Sequence, residues 1–327
     1  MVRKIHDYLD VIKVSLPNSP LRDLNSYVIR SPERNLLIDT GFNQPECLAN
    51  LQEGIQALGL DMDKTDILVT HLHSDHAGLA AELVRPGCRI FIGELDRGFF
   101  VDEQYKADLW AFYLEQYRTE GVPEQVITDA MKQNPAKNYA PSTKADYVPL
   151  KDGEILTVGN IRLKCIHTPG HTPGHICLYH EADKSMILGD HVLFDISPNI
   201  TPWLSLRNAL KRYMESLRKI QAYDVVTPLP GHRECSMSMS ERIEELLAHH
   251  ATRLAETYDA VLEHPGISGY EVAGQMKWSI RARNWEEFPV TQKWFAIGET
   301  LAHLYYLEEN GDISRELRDG QAVYLIK

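Results

Sequence analysis

The sequence predicts an α/β protein whose sheets are covered by helices, and three observations carry that expectation. Short apolar runs of strand length alternate with helical stretches from about residue 10 to residue 240. One polar, aromatic-rich helical stretch interrupts the alternation, and beyond about Ser240 the pattern becomes mainly helical. A chain of 327 residues is long enough for one large domain and a smaller one.

The strand-like runs come first at 11–14, 27–29, 36–38, 67–69, 89–92 and 161–166, with a helix expected over 45–58. The N-terminal segment alternates apolar and charged residues and reads as the first strand of the fold. Further strands are expected at 176–179, 186–188 and 225–227, with an amphipathic helix over 204–222. Between about 95 and 149 the chain is rich in Phe99, Phe100, Tyr105, Trp110, Phe112, Tyr113 and Tyr117, which predicts an inserted helical cap. Most of these aromatics are expected to pack the cap on the domain, with one or two facing a substrate. In the last stretch, Ser268 and Glu271 match a capping box, and Trp294, Ile297, Leu301 and Leu304 recur at helical spacing. Gly311 stops that run, and Ile313 with Val323 to Ile326 resembles a small hairpin. Helices followed by a two-stranded wing suggest a winged-helix-like domain over 241–327, after a catalytic domain over 1–240.

Composition excludes several classes of protein. Hydrophobic residues make up 43% and charged residues 24%, which is a globular rather than a disordered composition. No window approaches the roughly 20 apolar residues of a membrane span, and the N-terminus lacks the apolar core of a secretory signal. Five cysteines, odd in number and without a CxxC pair, argue against a disulfide framework and for a reducing, cytoplasmic setting. A net charge of −12 argues against nucleic acid as a partner. Residues 251–327 hold 8 basic and 12 acidic residues, and their one basic concentration, Lys277, Arg281, Arg283 and Lys293, has Glu286 and Glu287 among it.

The segment Thr70-His-Leu-His-Ser-Asp-His-Ala-Gly78 directly follows an apolar strand. His71 and His73, two apart in nearly extended chain, can point the same way and bind one ion through imidazole nitrogen. Asp75 and His76 lie where the chain turns into a helix and can address a second ion. Three histidines and an aspartate in six residues would make a poor core. Downstream, His171, Asp190 and His232 each sit at a strand end beside glycine or proline. Taken in order they supply His71, His73 and His171 for one metal, Asp75, His76 and His232 for another, and Asp190 as a bridge.

The motifs HLHSDHAG, TPGHTPGH, ILGD and LPGH resemble the ordered motifs of the metallo-β-lactamase superfamily, including its branch with glyoxalase II-like binuclear sites, over residues of about 10 to 240. The resemblance implies a four-layer αββα sandwich and the seven ligands just named. It also implies that Asp39, in Leu36-Leu-Ile-Asp-Thr-Gly41, orients the ligand cluster. His175 stands in the same Pro-Gly-His setting as His171 and is the alternative third ligand, with family spacing favouring His171. His191, next to Asp190, is expected to support the ligands or to be structural rather than to bind an ion. Asp75 and Asp39 are the residues to which a catalytic role falls. The C-terminal region is loosely similar to the winged-helix domain of the β-lactamase-like protein 2 branch.

Two metal ions, zinc first and iron or manganese as alternatives, would lower the pKa of a bridging water and polarise the scissile oxygen. The expected activity is hydrolysis of a small-molecule ester or thioester by bridging hydroxide. A phosphodiesterase or ribonuclease is the alternative, and a nucleic-acid-binding regulator with a metal-binding sensor domain is the alternative of another class. The apolar stripe of the C-terminal helix must be covered by its own core, by the catalytic domain or by a second chain, which would make a homodimer.

Overall fold

The computed structural model describes residues 1–142, 144–279 and 282–327; Arg281 of the basic concentration lies outside them. Strands β1 (Val2–His6) and β2 (Leu9–Ser15) pair antiparallel. The N-terminal segment, expected as one strand, is therefore two. Next come β3 (Asp23–Ile29), β4 (Asn35–Ile38), α1 (Pro45–Ala57), β5 (Thr65–Val69), α2 (Ser74–Ala77), α3 (Ala80–Leu83) and β6 (Ile90–Gly93). Four helices follow: α4 (Glu94–Val101), α5 (Glu103–Thr119), α6 (Glu124–Gln133) and α7 (Pro135–Asn138), before β7 (Tyr147–Leu150). The aromatic-rich stretch is therefore helical, but it ends before Pro149, which belongs to β7.

These strands form one seven-stranded sheet in the order β1 to β7, antiparallel as far as β4 and parallel beyond it. A second, five-stranded sheet has the order β12-β11-β10-β9-β8. It comprises β8 (Ile155–Val158), β9 (Ile161–His167), β10 (Ile176–His180), β11 (Ser185–Gly189) and β12 (Thr227–Pro230), with α8 (Ala209–Gln221) connecting the last two. The helix expected over 204–222 starts only at Ala209, capped by the Asn208 side chain, because Trp203 and Leu206 pair in an isolated bridge before it. The strand expected at 225–227 begins at Thr227, which lies opposite Ser185 on β11, and Val226 before it is exposed.

Side-chain alternation of period two builds the layers. Leu9, Val11, Tyr27, Ile29, Leu36 and Ile38 of the first sheet meet Leu163, Cys165, Ile176, Leu178 and Ile187 of the second. Their neighbours Ile12, Val14, Val28 and Leu37, with Ile67 and Val69 of β5, face outward onto Cys47 and Leu51 of α1 and Leu83 of α3. On the far side, Ile166, Cys177, Tyr179, Met186 and Leu188 are covered by Leu210, Tyr213, Leu217 and Ile220 of α8. The result is an αββα sandwich. Each fully buried aliphatic side chain contributes about 1.5–3 kcal/mol through the area it removes from water.

The C-terminal residues form α9 (Met239–Glu263), α10 (Gly269–Gln275), α11 (Val290–Asn310) and a hairpin of β13 (Ile313–Arg318) and β14 (Gln321–Ile326). Capping boxes start α9 at Ser238 and α10 at Ser268. Gly311 ends α11 in the left-handed conformation, with φ 85°. The α11 stripe is buried within the chain itself. Trp294 lies 4.3 Å from the Tyr117 ring of α5, and the Tyr117 hydroxyl donates to the Trp294 carbonyl at 2.9 Å. Glu120, fully buried after α5, accepts hydrogen bonds from Arg315 of β13 and from the Tyr324 hydroxyl of β14. The inserted helices and the C-terminal elements thus share one apolar cluster.

Candidate metal centre

The Thr70-to-Gly78 segment runs off the end of β5, and α2 begins at Ser74. The bent segment between β5 and that helix carries His71 and His73, and the first turn of the helix carries Asp75 and His76. His171 and His175 sit in the β9–β10 connection, Asp190 directly after β11 and His232 two residues after β12. The strand ends of both sheets therefore meet at one place. Three groups of side chains there have ligand atoms within 4.8 Å of one another: His71, His73 and His171; His71, His76 and Asp190; Asp75, His76 and His232. All seven residues expected as ligands fall in these groups.

Two glycines make the approach possible. Gly189 has φ +49°, and a Cβ there would stand 2.6 Å from His175 Nε2. A Cβ on Gly231 would stand 2.5 Å from Asp190 Oδ1 and 2.9 Å from His76 Cε1.

The outer nitrogens of four histidines are engaged. His76 Nδ1 donates to Asp39 Oδ2 at 2.8 Å, His171 Nδ1 to the Asn199 carbonyl at 2.8 Å and His232 Nδ1 to the Asp23 carbonyl at 2.7 Å. His71 Nδ1 lies 3.1 Å from Thr70 Oγ1. That hydroxyl is spent as a donor on Asp39 Oδ2, so it accepts here. These contacts turn all four Nε2 atoms inward. His76 Nε2 and His232 Nε2 then stand 3.2 Å apart, where at most one proton fits between them. His171 Nε2 and Asp190 Oδ1 are buried without a hydrogen bond.

Burial pushes His71 well below the ordinary imidazole value and His73 down to about 3, and it lowers His171 as well. The first trio is thus neutral, with lone pairs to offer. The second trio differs. Burial by itself would lower His76 and His232, but Asp39, Asp190 and Asp75 push His76 well above 6.5, and Asp190 and Asp75 push His232 to about 10. Asp75, although buried, is held at about 2 by His76 and His232. This half of the pocket gathers positive charge, which either protons or a cation can supply. Converging imidazoles, orphaned inward atoms and the two carboxylates of Asp75 and Asp190 fit a metal ion of the borderline or hard class, with no thiolate among the donors.

Asp39, which the resemblance expected to orient the ligand cluster, lies against Thr70 and His76. It has φ 61° at the end of β4, and it accepts from Thr70 N, Thr70 Oγ1 and His76 Nδ1, each at 2.8 Å. His175 has no nitrogen to spare, since Nδ1 lies 2.8 Å from Thr168 Oγ1 and Nε2 accepts from Asp190 N at 3.2 Å. The His191 ring packs between His175 and Tyr213 and belongs to none of the three groups.

Sequence reasoning missed several neighbours. The Trp203 indole donates to the His171 carbonyl at 3.2 Å, and its ring lies 5.9 Å from His73 and 6.0 Å from Tyr113. Asp96 accepts from Leu72 N behind the first trio, and burial pushes its carboxyl up to about 6. Asn25 donates to the Pro230 and Arg233 carbonyls and holds the turn that carries His232. None of these has a local signature, because each partner lies far away in sequence.

The family model described as the metallo-beta-lactamase superfamily matches residues 20–232. The probable metallo-hydrolase YqjP of Bacillus subtilis is 26% identical, over 96% of this chain and 97% of its own length. The beta-lactamase-like protein 2 homolog of Caenorhabditis elegans is 24% identical, over 86% of this chain and 82% of its own. A further relative, the atrochrysone carboxyl ACP thioesterase of Aspergillus fumigatus, is 24% identical over 72% of this chain and 44% of that protein. The chain spans about three fifths of the length of the fungal lactamase-like proteins it matches. Among solved structures, a metallo-beta-lactamase family protein from Thermus thermophilus superposes with TM-score 0.81 at 28% identity, covering 99% of this chain and 100% of that one. A beta-lactamase domain protein from Burkholderia ambifaria gives TM-score 0.84 at 27% identity, covering 100% and 94%. With a family model matching more than half of its length and relatives matching nearly all of it, the chain belongs to the metallo-beta-lactamase superfamily.

Proposed function

We propose that the protein is a binuclear metal-dependent hydrolase acting on a carboxylic ester or thioester. The observation that carries this reading is the reach of Asp190. Its Oδ1 lies 3.3 Å from His76 Nε2, and its Oδ2 lies 3.5 Å from His232 Nε2 and 3.8 Å from His171 Nε2. One carboxylate therefore touches both trios, as a bridging ligand must. His71, His73 and His171 would hold one ion and Asp75, His76 and His232 the other, with zinc the favoured metal. When bound, the ions supply Lewis acidity and lower the pKa of water.

The chain's own residues do the rest. Asp39, Thr70, Asn199 and Asp23 fix the imidazole tautomers, and Asp190 and Asp75 set the negative charge of the cradle. Asp75, near His232 at 3.3 Å, is the carboxylate placed to orient the attacking water. Trp203 and Tyr113 form an apolar wall next to His73 that excludes water on that side. Among the described residues, Asp75 and Asp190 pair with histidines only. The thioesterase among the relatives supports a carbonyl rather than a phosphodiester substrate. The three C-terminal helices and the hairpin support reading residues 241–327 as a winged-helix-like module, and its excess of acidic over basic residues supports a packing role rather than nucleic-acid binding.

Metal analysis with turnover of an aryl ester, S-lactoylglutathione, a lactone and bis(p-nitrophenyl) phosphate tests the reading. Close to two ions per chain and turnover of the carbonyl substrates are expected. One ion or fewer after reconstitution, or turnover of the phosphodiester alone, would overturn it.

A further inference from the structure

Asp96, in the first turn of α4, is a fully buried carboxylate for which no lysine, arginine or histidine forms an ion pair among the described residues. Leaving such a group unpaired in the interior is costly unless hydrogen bonds satisfy it. Three donors do so. Asp96 Oδ2 accepts from Leu72 N at 2.9 Å and from Thr172 Oγ1 at 2.6 Å, and Oδ1 accepts from Gly174 N at 2.6 Å.

The positions of these donors matter more than their number. Leu72 is the residue between His71 and His73, and Thr172 directly follows His171. The first two histidines extend from β5 of the seven-stranded sheet, whereas His171 belongs to the β9–β10 connection of the other sheet. One carboxylate thus joins the backbone on both sides of the gap that the first trio must close. The joint is also tight. A Cβ on Gly174 would stand 2.3 Å from Asp96 N, and a Cβ on Gly93 would stand 1.8 Å from the Gly174 carbonyl oxygen.

We infer that Asp96 is a positioning residue for the first metal trio. Without touching an ion or a substrate, it sets the separation of the His71–His73 segment from the His171 turn so that three nitrogens converge. This rests on the metal-binding reading above. A carboxylate is suited to the task because all three partners donate. An amide at this position would turn its own donor group towards a donor, either a backbone N–H or the Thr172 hydroxyl.

The test is per-site metal affinity in the full chain, measured by competition with a chromophoric chelator and by the absorption bands of cobalt(II) bound at each trio. Asp96→Asn is expected to weaken the first site by about 10–100-fold and to change its cobalt bands, with the second site unaltered. Thr172→Val should give a smaller loss at the same site, and Thr172→Ser, which keeps the hydroxyl, should restore it. If Asp96→Asn does not fold, the Thr172 pair decides the matter in the same way. Unchanged first-site affinity in a variant of a protein whose wild type binds two ions would overturn this role and leave the binuclear reading intact. Equal weakening of both sites would also overturn it, because the carboxylate would then be supporting the fold generally. A wild-type chain that binds no cobalt or zinc would overturn the binuclear reading and this role with it.

Discussion

Replacing Asp39 by Asn changes one atom and asks whether a carboxylate sets the tautomer of His76. Asp39 has three hydrogen-bond partners, and all three donate: Thr70 N to Oδ1, and Thr70 Oγ1 and His76 Nδ1 to Oδ2. The amide of Asn can keep only one oxygen. If it keeps the one facing Thr70 N, its NH2 opposes the His76 Nδ1 proton. The imidazole must then move its proton to Nε2, the atom 3.2 Å from His232 Nε2 and 3.3 Å from Asp190. If the amide flips instead, the buried Thr70 N–H loses its acceptor, at about 1–3 kcal/mol. Backbone strain does not confuse the result, because Asn tolerates the φ of 61° at this position about as well as Asp does. The expected loss is about 10–100-fold in affinity at the Asp75, His76 and His232 trio, which corresponds to about 1.4–2.8 kcal/mol. Zinc competition titration reads it directly, with circular dichroism to show that the fold is retained. A second-site dissociation constant within about twofold of wild type would refute the tautomer argument.

Three other outcomes follow from the same structure. Asp190→Asn should bind at most one ion and lose turnover by orders of magnitude while remaining folded; near-normal turnover would reduce Asp190 to a turn residue. Glu120→Ala should destabilise the protein by about 3–5 kcal/mol, because it strands Arg315 and the Tyr324 hydroxyl where the inserted helices meet the C-terminal hairpin. An unchanged denaturation midpoint would show that this junction contributes little. Burial would raise Asp66, but Arg34, at 3.0 Å, and Arg89, at 2.7 Å, hold it below its ordinary 3.8. A depressed folded value gives stability that is present above the unfolded pKa and is lost as pH falls through the folded one. Asp66→Asn should therefore flatten the decline of stability below about pH 4, and an unaltered acid limb would contradict the pairing.

The seven residues that converge at the strand ends were legible in the sequence, though for two different reasons. His71, His73, Asp75 and His76 lie within six residues, on the bend after β5 and in the first turn of α2, so sequence spacing alone keeps them close together. His171, Asp190 and His232 were legible only as turn-flanked strand ends in the right order. That they converge depends on two sheets packing face to face and on glycines at 189 and 231 small enough to let the loops touch. The stripe Trp294, Ile297, Leu301 and Leu304 likewise announced a buried helix face by its period. Only the folded chain shows that Trp294 of this stripe meets Tyr113 and Tyr117 of the inserted helices. Asp96, Asn199 and Trp203 had no signature at all. A periodicity or a metal-ligand spacing is written into consecutive residues, whereas the hydrogen bonds that Asp96 accepts from Leu72, Thr172 and Gly174 exist only once segments from two sheets and a helix have been brought together by burial of their apolar faces.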